Sequence, residues 1–454
     1  MTAFLNFFVS VASTPAILVG LIALLGLWLQ KKPVTKIVEG TLKTFVGFLV
    51  LVGGAGILVN SLNPFAVMFK FALHVQGVVP SNEAVVAIAL QKYGTATALV
   101  MLTGMIVNVL LARFTKFKYI FLTGQAMLYM SCLTAVVLIS TGMKTNIWTI
   151  ILGGIFEGTL LTITPAICQP FMRKITGSNE VAMGHTGNIG YATAGLMGKW
   201  FGNVKNSTEN IKFPKNLGFL RDSTVSITLV MGIVYLILAL ITGPKFIETK
   251  LSLGTNYLVY SITQAGTFAA GFYVVLAGVR MILGEIIPAF QGIATKIVPN
   301  AKPALDVPII FPYAQNAILI GFFVSFIVGT LSMFVMVAIK TVVIIPGVVG
   351  HFFCGAASGI YGNATGGRRG AIIGAAVNSL LISWLPLFIL PVLGSLKLAA
   401  STFADTDYLF GGIILGNIGR LGQLGITIGI LAFLLIVILW SLFMKEPNSK
   451  EAIK

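Results

Sequence analysis

Charge is scarce in this chain. Its 454 residues hold 13 Asp and Glu, 30 Lys and Arg and 3 His, so charged residues make up 9% against 57% hydrophobic. A soluble domain needs a polar surface that so few ionisable groups cannot supply. Cysteine is scarce as well: Cys132, Cys168 and Cys354 lie in apolar surroundings with no CxxC spacing. That argues against a disulfide framework, a metal site or a phosphocysteine loop, and leaves packing as small hydrophobes. No nucleophile–base pair, P-loop, dinucleotide glycine fingerprint or zinc spacing is present, so neither covalent catalysis nor a cofactor is expected. The formal net charge of +17 comes without a basic, aromatic-interleaved stretch, so nucleic acid is not the expected partner. Met1–Ser13 has neither a basic leading region nor a cleavage site, and no removable signal peptide is expected.

What the chain has instead is long apolar runs such as Val225–Gly243 and Leu424–Leu442. Crossing a hydrocarbon layer of roughly 30 Å takes about 20 residues at 1.5 Å each. The expected fold is an all-α polytopic membrane protein with about eleven transmembrane helices and some re-entrant hairpins. In the first half the spans read as Pro15–Leu29, Phe45–Leu62, Ala96–Leu111, Ile120–Ile139 and Ile147–Ile167. The second half gives Val225–Ile241, Tyr257–Leu276, Ala317–Ile339, Ile372–Val392 and Gly422–Phe443. Pro64–Val79 reads as an interfacial piece, and Met281–Val298 and Thr341–Cys354 as irregular apolar pieces, one of which crosses. Lys31, Lys32 and Lys36, then Arg113, Lys116 and Lys118, mark cytoplasmic ends. Lys31, Lys32 and Lys36 after the first span place the N-terminus outside, and Lys445, Lys450 and Lys454 place the C-terminus inside, which together require an odd span count. The basic stretch Gln169–Arg221 is expected on the cytoplasmic side, with Gly-rich Gly184–Phe201 as a re-entrant hairpin.

Two pieces recur in order. Gly40-Thr-Leu-Lys43 resembles Gly278-Val-Arg280, 237 residues on, and Ile120–Gly124 resembles Val343–Gly347, 223 residues on. Two related membrane repeats, 1–222 and 223–454, are therefore expected to intertwine into one unit. An odd number of spans per repeat makes the copies inverted, with substrate near the midplane between broken helices. Coincidence in a Gly-rich membrane protein is the competing explanation.

Few polar groups enter the apolar runs, and in a membrane such groups are functional candidates. Gly184-His185-Thr186-Gly187-Asn188 combines close backbone approach with donors and acceptors, as a hydroxyl-rich ligand requires. A solvated cytosolic turn is its other reading, and no metal companions are spaced around His185. Asp306, bracketed by Pro303 and Pro308, is either an acceptor for ligand hydroxyls or a helix cap. Gln125 and Tyr129 share a helix face and serve ligand binding or interhelical hydrogen bonding. Phe352 and Phe353 offer an aromatic face to a ring-shaped ligand, or simply pack. Glu157 and Glu285 suit a proton-coupled carrier; pairing of Glu285 with Arg280 or Lys296 explains it as well. Arg368-Arg369 after Gly366-Gly367 reads as a loop end.

At these residues the chain resembles the membrane permease subunit (enzyme IIC) of the ascorbate-type phosphotransferase system. The matching stretches are Gly40–Thr44 with Gly47-Phe48, Ala55–Leu58, Leu122–Gly124, Gly184-His185, Gly278–Met281 with Glu285, and Ala289-Phe290 with Gly292-Ile293. Ala304–Asp306, Asn316-Ala317, Ile345–Gly347 and Phe352-Phe353 continue it, over about residues 39–370. The resemblance implies an eleven-span protomer with inverted repeats, a core domain, a second domain bearing a homodimer contact, and alternating access. It implies a bacterial cytoplasmic (inner) membrane location. It also implies inward transport of substrate to a IIB subunit, which donates phosphate from its own cysteine. IIB is charged by IIA, and IIA by HPr and enzyme I. Carried over, the substrate-binding residues are His185, Asp306, Gln125 and Tyr129; Thr186 and Phe352 are expected beside them on their own chemistry. The chain departs from the pattern where a histidine is expected at Gln125, a glutamine at Tyr129 and glutamines after His185. The expected function is a permease for L-ascorbate or a related sugar acid or polyol. An ion-coupled secondary transporter, suggested by Glu157, Glu285 and Asp306, is the alternative.

Overall fold

The computed structural model describes residues 15–74, 76–211, 223–393 and 401–443. The basic residues Lys212, Lys215, Arg221, Lys445, Lys450 and Lys454 lie outside the described residues. In chain order the first half comprises α1 (Pro15–Leu29), α2 (Val34–Leu73), β1 (Gly77–Pro80), α3 (Asn82–Phe114), β2 (Tyr119–Phe121), α4 (Gly124–Ser140), α5 (Ile147–Thr176), β3 (Ala182–Met183) and α6 (Asn188–Phe201). The second half begins with α7 (Ser223–Thr242), α8 (Pro244–Lys250), α9 (Tyr257–Ile297) and β4 (Lys302–Leu305). A 3-10 turn (Val307–Tyr313) leads to α10 (Gln315–Ala338), β5 (Val343–Ile344), α11 (Val348–Trp384) and α12 (Pro386–Leu393). β6 (Ser401–Thr402), α13 (Thr406–Gly419) and α14 (Gly422–Phe443) complete it.

The protein is a mostly helical, multi-pass membrane protein. Among the described residues seven helices are long and apolar enough to cross a bilayer, or eight if the bent pair Met231–Thr242 and Pro244–Lys250 is one span. α14 illustrates the logic. Ile426, Ile430 and Val437 face inward on one stripe, while Leu424, Ile428, Leu435 and Ile436 are exposed. In a bilayer that outer face meets lipid, so both faces are apolar and no polar stripe is needed.

Several elements differ from the sequence reading. Pro64–Val79 is not a separate piece: α2 runs through Pro64 to Leu73, with Phe65, Met68 and Phe69 buried. Likewise Met281–Val298 is not irregular, because α9 continues without a break to Ile297. These helices have 40 and 41 residues, about 60 Å at 1.5 Å per residue, or roughly twice the hydrocarbon thickness. They pack antiparallel: Gly47 lies against Gly278, Gly54 against Val275 and Gly271 against Leu58. Arg368-Arg369 does stand at a loop end: α11 doubles back at a kink where Gly367 adopts φ +58°, which brings Gly362 against Gly370 and Asn378 Nδ2 to the Cys354 carbonyl at 3.2 Å. The segment around Asn203–Ser207 clips that kink, with Arg368 N–H donating to the Asn206 carbonyl at 2.7 Å.

The strands form two small parallel sheets, ordered β5-β1-β6 and β2-β4-β3. Each strand is an extended entry into a helix, and extended backbone at membrane depth must find partners within the protein. The pairing supplies them: Gly77 aligns with Val343, Pro80 with Thr402, Ile120 with Pro303 and Met183 with Leu305. Gly184 extends the second sheet by donating to the Leu305 carbonyl at 2.7 Å. A Cβ at Gly184 would collide with the Ala304 carbonyl, so only glycine permits this approach. Every sheet joins both halves of the chain. Gly77 to Lys302 is 225 residues, Tyr119 to Val343 is 224 and Ala182 to Ser401 is 219. Shifted by that interval, the order β5-β1-β6 becomes β2-β4-β3.

Candidate functional site

The six strand-to-helix turns converge on one cavity of about 220 Å³. The turn from β1 to α3 contributes Asn82 and Glu83, and that from β2 to α4 contributes Gln125 and Tyr129. His185 and Thr186 come from the turn between β3 and α6, Asp306 from the turn after β4. Gly350 and Phe353 come from the first turns of α11, and Asp405 and Tyr408 from the start of α13. Only Phe272, Leu276 and Arg280 on α9 complete the wall from mid-helix. Helix N-termini present unsatisfied N–H groups and the positive ends of their dipoles, so acidic caps and polar ligands belong there. The local sequence explains the turns. Ser81 caps α3 by accepting Ala84 N–H at 3.3 Å, and Asp306 accepts Val307 N–H at 2.7 Å.

The structure brings five of the sequence-derived candidates together: Gln125, Tyr129, His185, Thr186 and Asp306. His185 does not sit on a solvated turn; it is buried, with its Nδ1 2.7 Å from the Tyr191 hydroxyl. Gln125 donates from Nε2 to Asp306 Oδ2 at 3.0 Å, which ties the β2 and β4 turns together. Asp306 is therefore both a cap and a wall of the cavity. Tyr129 is buried and its hydroxyl has no hydrogen-bond partner among the described residues. Phe352 is placed differently. Its ring packs edge-on against Phe322 and Phe353, 5.4 and 5.2 Å between centroids, and the neighbouring Phe353 lines the cavity instead. Glu157 is fully buried away from the lining, where it accepts the Ser131 hydroxyl at 2.7 Å. Glu285 pairs across to Lys43 at 3.6 Å rather than with Arg280 or Lys296, and Arg280 reaches the cavity.

Sequence reasoning missed Glu83 and Asp405. Asp405 is the more connected of the two: its Oδ2 accepts the Thr186 hydroxyl at 2.8 Å and its Oδ1 the Cys354 thiol at 3.5 Å. Two residues on, Asp407 accepts Asn188 N–H at 3.2 Å and Ile189 N–H at 2.9 Å, capping α6 from another element. The available signal was local. In a chain with 13 acids, Glu83, Asp306, Asp405 and Asp407 all follow short extended runs that open helices.

His185, Cys354 and Asp405 hold possible ligand atoms within 4.8 Å of one another. The set does not suit a metal as arranged. Gly187 N–H donates to His185 Nδ1 at 3.1 Å, which puts the proton of the neutral ring on Nε2, the nitrogen facing Asp405. What the cavity can do is bind: it offers donors, acceptors and three carboxyl groups, and no base is set against a nucleophile in its lining.

Comparison with known proteins agrees with this picture. The sequence model of the PTS system sugar-specific permease component family (EIIC-GAT) matches residues 10–407. The "Ascorbate-specific PTS system EIIC component" of Mycoplasma pneumoniae (strain ATCC 29342 / M129) is 28% identical over 411 residues. The match covers 79% of this chain, which spans 62% of the length of that relative. With the family match running through both halves and all of the cavity wall but Tyr408, this chain belongs to the PTS sugar-specific permease component family.

Proposed function

We propose that this protein is the membrane permease (IIC) component of a phosphoenolpyruvate-dependent phosphotransferase system. It moves L-ascorbate or a related sugar acid or polyol inward by alternating access, for phosphorylation by a separate IIB subunit that is charged by IIA. One observation carries this reading: turns from both halves of the chain converge on a cavity lined by hydrogen-bonding groups. A hydroxyl-rich solute stripped of water needs each of its hydroxyls re-paired, and such a wall can do that. The specificity named for the Mycoplasma pneumoniae relative supports the ascorbate-like class. Gln125, Tyr129 and Thr186 can still hydrogen-bond a hydroxylated solute, with a different reach and donor count.

The wider architecture belongs to the same proposal. The recurrence of strands and the antiparallel packing of α2 on α9 support inverted repeats, 1–222 and 223–454. Eleven spans, a homodimer contact outside the cavity-bearing core, an inner-membrane location, an outside N-terminus and a cytoplasmic C-terminus complete the reading.

Uptake of labelled solute in cells with and without the partner IIB tests it. Accumulation as a phosphate ester, dependent on IIB, is expected; undiminished uptake without IIB counts against the proposal. The three carboxyl groups in the cavity are the observation behind an ion-coupled alternative. Proteoliposomes holding this chain alone separate the two, because only the alternative concentrates solute under a proton or sodium gradient.

A further inference from the structure

His185 and Asp405 face each other across a gap. Nε2 and Oδ2 are 3.9 Å apart, beyond the roughly 3.2 Å of a direct hydrogen bond. The remaining polar atoms of the pair are engaged. On the imidazole, Nδ1 takes Gly187 N–H at 3.1 Å and lies 2.7 Å from the Tyr191 hydroxyl. An amide N–H can only donate, so Nδ1 keeps its lone pair and Nε2 presents a fixed donor. On the carboxyl group, Thr186 and Cys354 hold both oxygens in place, and Oδ2 retains acceptor capacity. Both side chains line the cavity and both are buried.

We infer that this gap is a hydroxyl-recognition subsite, in which one substrate hydroxyl accepts from His185 Nε2–H and donates to Asp405 Oδ2. The permease thereby selects an uncharged polyhydroxylated solute over one that presents a deprotonated oxygen there. An oxygen about 2.8 Å from each atom fits with an angle near 90°, enough for a hydroxyl to accept on one side and donate on the other. A deprotonated oxygen has no proton to give and meets like charge at contact distance. Glu83 and Asp306 bring two more carboxyl groups to the same cavity, against Arg280, which is exposed. The inference rests on the permease reading and narrows its substrate class to the polyol side, away from the ascorbate for which the relative is named.

Calorimetry on the purified full chain in detergent tests it, with hexitols and aldohexoses set against gluconate and ascorbate. The tightest neutral solute is expected to bind at least about tenfold better than either anion. Asp405→Asn weakens the neutral solute by about tenfold and leaves the anions unchanged or improved. An anion binding tighter than every neutral solute, or Asp405→Asn weakening both classes alike, overturns the subsite while the permease reading stands. Failure of every polyhydroxylated solute to bind overturns both. Should Asp405→Asn lose its thermal unfolding transition, the two His185 variants decide. His185→Gln sets an amide nitrogen near the Nε2 position and His185→Asn near Nδ1, so Gln is expected to bind about tenfold tighter than Asn. Equal affinities overturn the inference.

Discussion

At the scale of single residues, the cavity is distinguished by what is left unpaired. A buried hydroxyl without a partner costs about 1–3 kcal/mol, and that cost is recovered only when a ligand supplies one. The Tyr129 hydroxyl stands in this position, with no partner among the described residues. Tyr129→Phe is therefore expected to leave the unfolding midpoint unchanged or raise it. The same variant weakens binding of the permease's solute by about 0.5–1.5 kcal/mol, the net worth of one hydrogen bond. Thermal unfolding and calorimetry on one preparation read both quantities. A lowered midpoint with intact affinity places the hydroxyl in the packing and removes it from the site.

The residues legible in the sequence were those that break a pattern. Gly184-His185 opens a Gly-rich piece inside a basic stretch, in a chain with 3 histidines, and Asp306 stands between prolines. Glu83 and Asp405 broke nothing. Each follows a short extended run and sits where an acid ordinarily caps a helix, so the local sequence gives the common explanation and hides the second role. Phe352 and Phe353 differ by one helical step of about 100°, and periodicity alone does not decide which of two adjacent rings faces a cavity.

At the scale of elements, apolar helices were legible because hydropathy reports them directly, as at the spanning α14 and the shorter α1, whose bounds match the sequence reading. Strands of two to four residues were not, since such runs carry too little periodicity to separate from helix or loop. Their pairing is long-range, as between Gly77 and Val343. The contact that positions the His185 turn is likewise long-range: α6 lies on α11 with backbone close to backbone. Gly198 meets Gly362 and Thr365, and Thr365 donates to the Gly195 carbonyl at 2.7 Å. A side chain at Gly198 has nowhere to go. Gly198→Val is expected to destabilise by about 1–3 kcal/mol or more, and to weaken ligand binding because α6 carries the His185 turn. Gly53, in the interior of α2 with open space around its Cα, provides the contrast. There Gly→Ala is expected to stabilise by about 0.5–1 kcal/mol. Equal tolerance of both substitutions, measured as unfolding midpoints, excludes close α6–α11 packing as the support of the site.

At the scale of the whole molecule, each half lacks what the other holds. β1 of the first half is central to a sheet whose outer strands, β5 and β6, come from the second. β4 of the second half is central to a sheet whose outer strands, β2 and β3, come from the first. A half alone would leave extended backbone unpaired at membrane depth, at several kcal/mol for each unsatisfied group. Two polypeptides, 1–222 and 223–454, are therefore expected to be unstable when produced separately. Produced together in one membrane, they are expected to assemble into a species that binds ligand. Co-purification through an affinity tag on one half, followed by size-exclusion chromatography in detergent, reads the association. A single half that is monodisperse and shows a cooperative unfolding transition by itself would mean that it satisfies its own strands. The two sheets would then be a consequence of docking between finished domains rather than a condition of folding, and the cavity they frame would form only after each half had folded.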